Sequence, residues 1–336
     1  MKRFNEKQIL DLIKSKLGTS NLEPLIGKDD ISLIPLHKII NIPSIGNSLA
    51  ITCDMLVEHT DVPSKMTFQQ IARKSLISSI SDLCAKGIRP SIALISLGLP
   101  KYIDKCNVNN LIKGFIKTSK EYGFFIVGGD INQSKELIID CCMLGFSKNH
   151  IQVPRRNGAA VGDYVIVSAP FGYSSSGLKI LINDFKSPYR SFKTKSVNSV
   201  LHPSPPLEFG LRISRYLSSS IDSSDGLAIS LYEIAKESSV NLLISKDNIP
   251  VPRGLKKFSQ MNKVILDDLI FHGGEEYHIV GTVAKKNLNK VIAIVKKYSL
   301  SFFIIGKVTK GIGKVFIYRP NKPMKLLKNK GFIHLS

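Results

Sequence analysis

Acidic residues are the scarce class in this chain. Its 336 residues include 26 Asp and Glu against 47 Lys and Arg, a formal net charge of +21. Long apolar runs are missing as well: none approaches the roughly 18 residues that a membrane-spanning helix needs. The N terminus, Met1-Lys2-Arg3-Phe4-Asn5-Glu6-Lys7, has no apolar stretch of the signal-peptide kind. Cysteine is sparse. Cys53, Cys84, Cys106, Cys141 and Cys142 are odd in number and show no CxxC spacing. They read as reduced thiols, and the expected location is cytoplasmic. The seven histidines form no HExxH pair, no GxGxxG opens a helix, and no GxSxG elbow occurs. Residues 306–312 have the first spacing of a P-loop, but Ile312 stands where lysine is required. Zinc hydrolysis, serine-triad hydrolysis and dinucleotide chemistry thus lose their sequence basis. Disorder is excluded, because Ile, Leu, Val and Phe are abundant throughout.

The basic excess raises the question of nucleic acid. Lysine dominates it and is scattered, with small clusters at Lys256-Lys257 and at Lys322, Lys325, Lys328 and Lys330. No helix-turn-helix, zinc finger or RNP aromatic motif accompanies them. A solvated basic surface is the reading, and no nucleic-acid or membrane partner is expected.

Apolar periodicity predicts helices over residues 5–17, 68–86, 108–121, 177–184, 207–217, 227–237 and 286–298. Strands are expected at 48–57, 91–99, 124–128, 136–146, 163–169, 241–245, 277–283 and 302–308. Pro and Gly break the pattern over 147–162, which places a boundary between a unit at 1–147 and one at 148–336. Strands and helices mix without strict alternation, so the class is α/β in the broad sense, mixed α/β or α+β.

The few acids are grouped. Ten of them, Asp29, Asp30, Asp54, Asp61, Asp82, Asp130, Asp222, Asp225, Glu275 and Glu276, fall in short segments rich in Gly, Ser or other acids. Gly128-Gly129-Asp130 is read as the end of a strand, where glycines admit a ligand to the backbone, though a structural turn explains it equally well. Asp222-Ser223-Ser224-Asp225-Gly226 precedes a helix; Ser224 or Asp225 is a candidate N-cap, and the same helix start suits a phosphate. In Gly273-Gly274-Glu275-Glu276-Tyr277, extended backbone would turn one carboxylate to a site and the other to solvent. Asp82 lies on a predicted helix with Ser75, Ser78 and Ser79. Two carboxylates about 4 Å apart repel by roughly 4 kcal/mol at an effective dielectric near 20. If these acids converge they call for cations, and oxygen-only ligands favour Mg²⁺ shared with substrate phosphates.

The order of these segments carries a resemblance. Gly27-Lys28-Asp29-Asp30, Thr52-Cys53-Asp54-Met55-Leu56-Val57-Glu58, Ser81-Asp82-Leu83-Cys84-Ala85-Lys86-Gly87-Ile88-Arg89-Pro90, Gly128-Gly129-Asp130, Asp222-Ser223-Ser224-Asp225-Gly226-Leu227 and Gly273-Gly274-Glu275-Glu276-Tyr277 follow one another. Together they closely resemble the thiamine-monophosphate kinase family, in the superfamily of aminoimidazole ribonucleotide synthetase and selenophosphate synthetase. The run at 55–63 is most similar to the archaeal branch. The resemblance implies an N-terminal mixed-sheet domain that binds ATP and Mg²⁺ and pairs with a dimer mate, and a C-terminal α+β domain covering the nucleotide. It implies transfer of the ATP γ-phosphoryl to thiamine monophosphate, giving thiamine diphosphate and ADP. By position, Asp30, Thr52, Asp54, Asp82, Asp130, Asp222 and Asp225 would hold Mg²⁺. Gly129, Asp130, Arg156 and Ser224 would meet ATP, and Asp61, Glu275 and Phe332 the thiamine phosphate. No residue is implied as a general base. This chain departs from the pattern at Cys53, where Thr is frequent, and at Asp61, where bacterial members often carry His. The competing readings are another ATP-dependent activity of the superfamily and a basic, non-catalytic nucleic-acid-binding relative. Selenophosphate synthesis usually needs a reactive cysteine near the N terminus, and the first cysteine here is Cys53.

Overall fold

A computed structural model describes residues 29–35, 48–148 and 152–330. The helix expected at 5–17, Gly27-Lys28 and Phe332 lie outside those residues. Among the described residues no helix is long and apolar enough to cross a membrane.

The first part of the chain runs β1 (Ser32–Pro35), β2 (Ser48–Val57), α1 (Glu58–Asp61), α2 (Phe68–Ala85), β3 (Pro90–Leu99), α3 (Lys105–Tyr122), β4 (Phe125–Gln133) and β5 (Ile138–Ser147). The strands form one sheet in the order β1-β2-β5-β3-β4. Every pairing is antiparallel except β3 with β4. Along β2 the pleat buries Ser48, Ala50, Thr52 and Leu56 against α2, while Cys53 and Met55 face the other way.

The second part continues with β6 (Tyr164–Val167), α4 (Tyr173–Asn183), α5 (Arg190–Leu201), α6 (Leu207–Ile213), β7 (Leu217–Ser223), α7 (Leu227–Glu237) and β8 (Val240–Ser245). It ends with α8 (Leu255–Met261), α9 (Leu266–Phe271), β9 (His278–Val283), α10 (Lys285–Lys297), β10 (Phe303–Lys310), β11 (Val315–Arg319) and β12 (Lys322–Leu326). Its sheet has the order β12-β11-β8-β10-β6-β9-β7. β8 and β11 are parallel and the remaining neighbours antiparallel.

Helix α2 places the site. A capping box starts it: the Thr67 hydroxyl accepts from Gln70 N–H while the Gln70 side chain accepts from Thr67 N–H. Leu76, Ile77, Ile80 and Leu83 are all fully buried, each side chain worth about 1.5–3 kcal/mol of burial. The helix packs on β2 and β5 from one side and on α6 and β7 from the other. It is therefore a shared wall between the two sheets, and its buried polar residues, Lys74, Ser75, Ser79 and Ser81 among them, face a junction rather than solvent.

Three expectations are corrected. The Gly128-Gly129-Asp130 segment does not end its strand, since β4 continues to Gln133. Gly129 is needed because a Cβ there would lie 1.7 Å from the Ile95 carbonyl oxygen of β3. The helix expected at 207–217 stops early, and Leu217 opens β7, a strand not foreseen although it carries Asp222. The N-cap of α7 is Gly226 with no side-chain cap bond, rather than Ser224 or Asp225. At Gly226 φ is +106°, a conformation that L side chains rarely adopt.

Candidate active site

Three carboxylates from distant segments meet at the junction. Oxygen atoms of Asp30, Asp82 and Asp222 lie within 4.8 Å of one another. Asp30 comes from the loop before β1, Asp82 from the last turn of α2, and Asp222 from the end of β7. Asp54, on the helix-facing side of β2, is tied to them through Thr52. The Thr52 hydroxyl donates to Asp82 Oδ2 and lies 3.5 Å from Asp54 Oδ2. Ser79 donates to Asp54 Oδ2 at 2.8 Å, and Ser81 donates to Asp222 Oδ2 at 2.7 Å. Asp54, Asp82 and Asp222 are thus each aimed by a neighbouring hydroxyl.

Burial and mutual repulsion push these acids upward. The Asp222 carboxyl is raised to about 7, first by burial and then by the charge of Asp30. Asp82 is held well above the ordinary carboxylate range by burial and by Asp54, Asp222 and Asp30. Asp54 is raised too, chiefly by burial, against the hydroxyl bonds from Ser79 and Thr52. Buried, converging, oxygen-only donors that repel one another fit a divalent cation of the Mg²⁺ kind.

Three cations stand behind the trio: Arg156, expected at the nucleotide, and Lys86 and Arg155, to which the sequence reading gave no role. The fully buried Lys86 ammonium lies 2.7 Å from Asp29 Oδ1 and 2.5 Å from Asp30 Oδ2, and donates to the Ser220 carbonyl at 2.6 Å. Arg155 Nε is 2.8 Å from Asp29 Oδ2. Arg156 Nε donates to Asp30 Oδ1 at 2.9 Å. Burial works to raise the Asp29 carboxyl, but Lys86 and Arg155 outweigh it and hold it below the usual value. The available signal was spacing: Lys74, Ser78, Asp82 and Lys86 recur every four residues, which puts them on one face of α2.

A cavity of about 680 Å³ opens beside the trio, and it brings together most residues singled out by sequence. Asp54, Asp61, Asp82, Asp222, Ser224, Asp225 and Glu275 all line it, with Lys74, Ser78 and Tyr277. Asp61 closes α1, and its Oδ2 accepts from Val57 N–H at 2.7 Å. Glu275 sits in the loop before β9 with φ +61°, and Tyr277 follows at φ +53°. Each left-handed non-glycine residue costs about 1–3 kcal/mol. The loop is held there by Glu275 N–H to the Ser224 carbonyl (2.5 Å) and Tyr277 N–H to the Ser223 carbonyl (2.9 Å).

Other candidates lie apart. Gly129 and Asp130 stand on β4, an edge strand exposed along its whole length, and do not line the cavity. Arg156 does not line it either, being engaged with Asp30. Cys53 points to the opposite face of the sheet, 3.4 Å from Asp140, and burial followed by that carboxylate pushes its thiol up to about 12. Glu276 does not face solvent. It is buried and accepts N–H bonds from Gly172 (2.6 Å) and Ser174 (3.1 Å) at the start of α4.

Comparison with known proteins agrees with this geometry. Residues 33–147 match the AIR synthase related protein N-terminal domain, and residues 160–319 the AIR synthase related protein C-terminal domain. The chain is 36% identical to a thiamine-monophosphate kinase of Nitrosopumilus maritimus over 334 residues, 99% of each chain. It is 34% identical to a thiamine-monophosphate kinase of Pyrococcus horikoshii over 290 residues, 86% of each. It superposes with a TM-score of 0.83 on a solved structure of AaThiL complexed with AMPPCP and TMP, at 26% identity over 100% of this chain and 99% of that one. The chain belongs to the AIR synthase related family and, within it, to the thiamine-monophosphate kinases.

Proposed function

We propose that this chain transfers the γ-phosphoryl group of ATP to the phosphate of thiamine monophosphate, giving thiamine diphosphate and ADP, with Mg²⁺ as its metal. The observation that carries the reading is the convergence of Asp30, Asp82 and Asp222 from three remote segments beside one large cavity. A phosphate acceptor is already an anionic nucleophile, so no general base is required, and positioning with charge neutralisation carries the reaction. The lining is rich in carboxylates, as that chemistry asks. AaThiL was solved with an ATP analogue and TMP bound together, which supports the same pair of substrates here.

Bound Mg²⁺ would supply the positive charge that lets two phosphorylated molecules approach each other. Asp30, Asp82 and Asp222 are assigned to hold it, with Asp54, Thr52 and Asp225 at hand. The hydroxyls of Thr52, Ser79 and Ser81 orient those acids, and Lys86 keeps Asp30 in place. Ser224 is assigned to the nucleotide, and Asp61 and Glu275 to the acceptor. Gly129, Asp130 and Arg156 are proposed nucleotide or metal contacts by resemblance only, and Phe332 an acceptor contact on the same ground.

The part of the chain up to 147 is proposed to bind ATP and to dimerise, and the part from 148 to cover the nucleotide. Supporting the dimer, Met55, Leu94, Phe125 and Phe146 share the face of the first sheet turned away from α2 and are all exposed, an apolar surface that soluble monomers rarely leave open. The test is ADP release with thiamine monophosphate, thiamine and an aminoimidazole precursor compared side by side. Turnover confined to thiamine monophosphate supports the assignment; turnover with the aminoimidazole compound alone overturns it.

A further inference from the structure

Asp61 and Glu275 are 214 positions apart in sequence, yet one side chain holds both. The ammonium of Lys74, on α2, lies 2.5 Å from Glu275 Oε1 and also donates to the main-chain carbonyl of Asp61. Lys74 is almost wholly enclosed, its side chain 5% exposed, while that of Glu275 remains 31% exposed at the cavity wall. All three residues line the cavity.

Position along α2 says which end of the cavity this is. Lys74 precedes Asp82 by eight residues, about 12 Å along the helix axis. The carboxylate trio occupies the end at Asp82. Lys74, Asp61 and Glu275 therefore mark the opposite end, away from any phosphate held at the trio. Their charges are two carboxylates and one ammonium, a net of one negative. The proposed acceptor carries its phosphate at one end and a singly positive thiazolium ring beyond it.

We infer that Lys74 is a positioning residue for the ring end of the acceptor: it joins the two walls of the cavity and fixes the Glu275 carboxylate that meets the ring. This rests on the acceptor proposed above. Lys74 fixes one oxygen of Glu275 in a loop already held at positive φ. Without it, the Glu275 carboxylate would lose the group that aims it, and the α1 turn would lose its link to the loop before β9.

The test measures steady-state constants for ATP and thiamine monophosphate separately, with calorimetric binding of thiamine monophosphate to the nucleotide-free protein. Lys74→Met is expected to raise the acceptor KM at least about tenfold, the loss of one charge-assisted contact. The ATP KM should stay within about twofold, and the calorimetric Kd should rise with the acceptor KM. Lys74→Arg is expected to recover most of the loss. Glu275→Gln should reproduce the effect, and Lys74→Met added to it should do little more, because both act on one contact. Equal changes in the KM for ATP and for the acceptor, or additive effects of the two substitutions, would overturn the inference. Should Lys74→Met fail to fold, Glu275→Gln against Lys74→Arg,Glu275→Gln provides the same comparison. Wild-type protein that does not turn over thiamine monophosphate would instead refute the proposed acceptor itself.

Discussion

Glu276 and His278 show how a buried pair writes itself into stability. Burial raises the Glu276 carboxyl to about 7, against the N–H bonds it receives from Gly172 and Ser174, and burial lowers His278 to about 4. The two lie 3.6 Å apart. For Glu276 the folded state holds its proton longer than the unfolded chain, so its contribution is full below pH 4.5 and is lost as pH rises towards 7. For His278 the unfolded chain binds the proton first, so stability increases as pH rises from about 4 to 6.5. The slopes oppose one another in the native protein. Glu276→Gln should therefore leave a Tm that climbs between pH 4 and 6.5, and His278→Asn one that declines between pH 4.5 and 7. Thermal melts across that range would show it, and identical pH profiles for the two variants would refute it. The metal-site acids make a related prediction. With no divalent ion present, Asp222→Asn should stabilise the protein at pH 8 by on the order of a few kcal/mol, because it removes a charge whose carboxyl is raised to about 7. The same substitution should abolish turnover. A metal-free Tm equal to or below that of the wild type would count against the electrostatic account.

Helix α2 carries most of the architecture that matters, and it was largely legible in advance. Its apolar residues repeat at helical spacing, and the predicted span of 68–86 differs from the observed one by a single residue. The expected strand at 48–57 was also matched, because β2 buries alternate residues against that helix. Other elements left weaker marks. β7 reads Leu-Ser-Ser-Ser-Ile-Asp-Ser, and Ser219 and Ser220 are buried in polar contacts, so no apolar alternation announced a strand there. The strand expected at 124–128 was found as the first part of β4, but its continuation to Gln133 was not foreseen: a glycine pair reads as a strand end, whereas Gly129 serves close contact with β3. Lys86 was overlooked because a lysine at a helix end normally reads as solvated, and only the fold reveals that its charge meets Asp29 and Asp30. Breaking a buried ion pair from one side costs about 3–5 kcal/mol. Lys86→Met is thus expected to lower unfolding free energy by about that amount in denaturant titrations, whereas Lys101→Met, at an exposed position, should change it by less than about 0.5 kcal/mol.

The two sheets are joined by α2, and the acids of the cavity come from both parts of the chain, which is why no single segment announced a site. The order of the motifs along the sequence pointed to the set, and the fold shows how Asp30, Asp82 and Asp222 come together. The open apolar face of the first sheet belongs to the same scale. Met55 is 62% exposed and Phe125 75% exposed. Phe125→Asp is expected to shift the protein from dimer to monomer in light scattering coupled to size exclusion, with little loss of Tm; a wild-type protein that is monomeric at micromolar concentration would remove the basis for that assembly. The most direct measurement of the whole account follows thiamine diphosphate and ADP together, starting from ATP and thiamine monophosphate, with and without chelation of divalent ions. The account predicts the two products in equal amounts, abolished by chelator, restored by added Mg²⁺, and absent from Asp82→Asn. Product formed equally well with chelator present, or by Asp82→Asn, would contradict it.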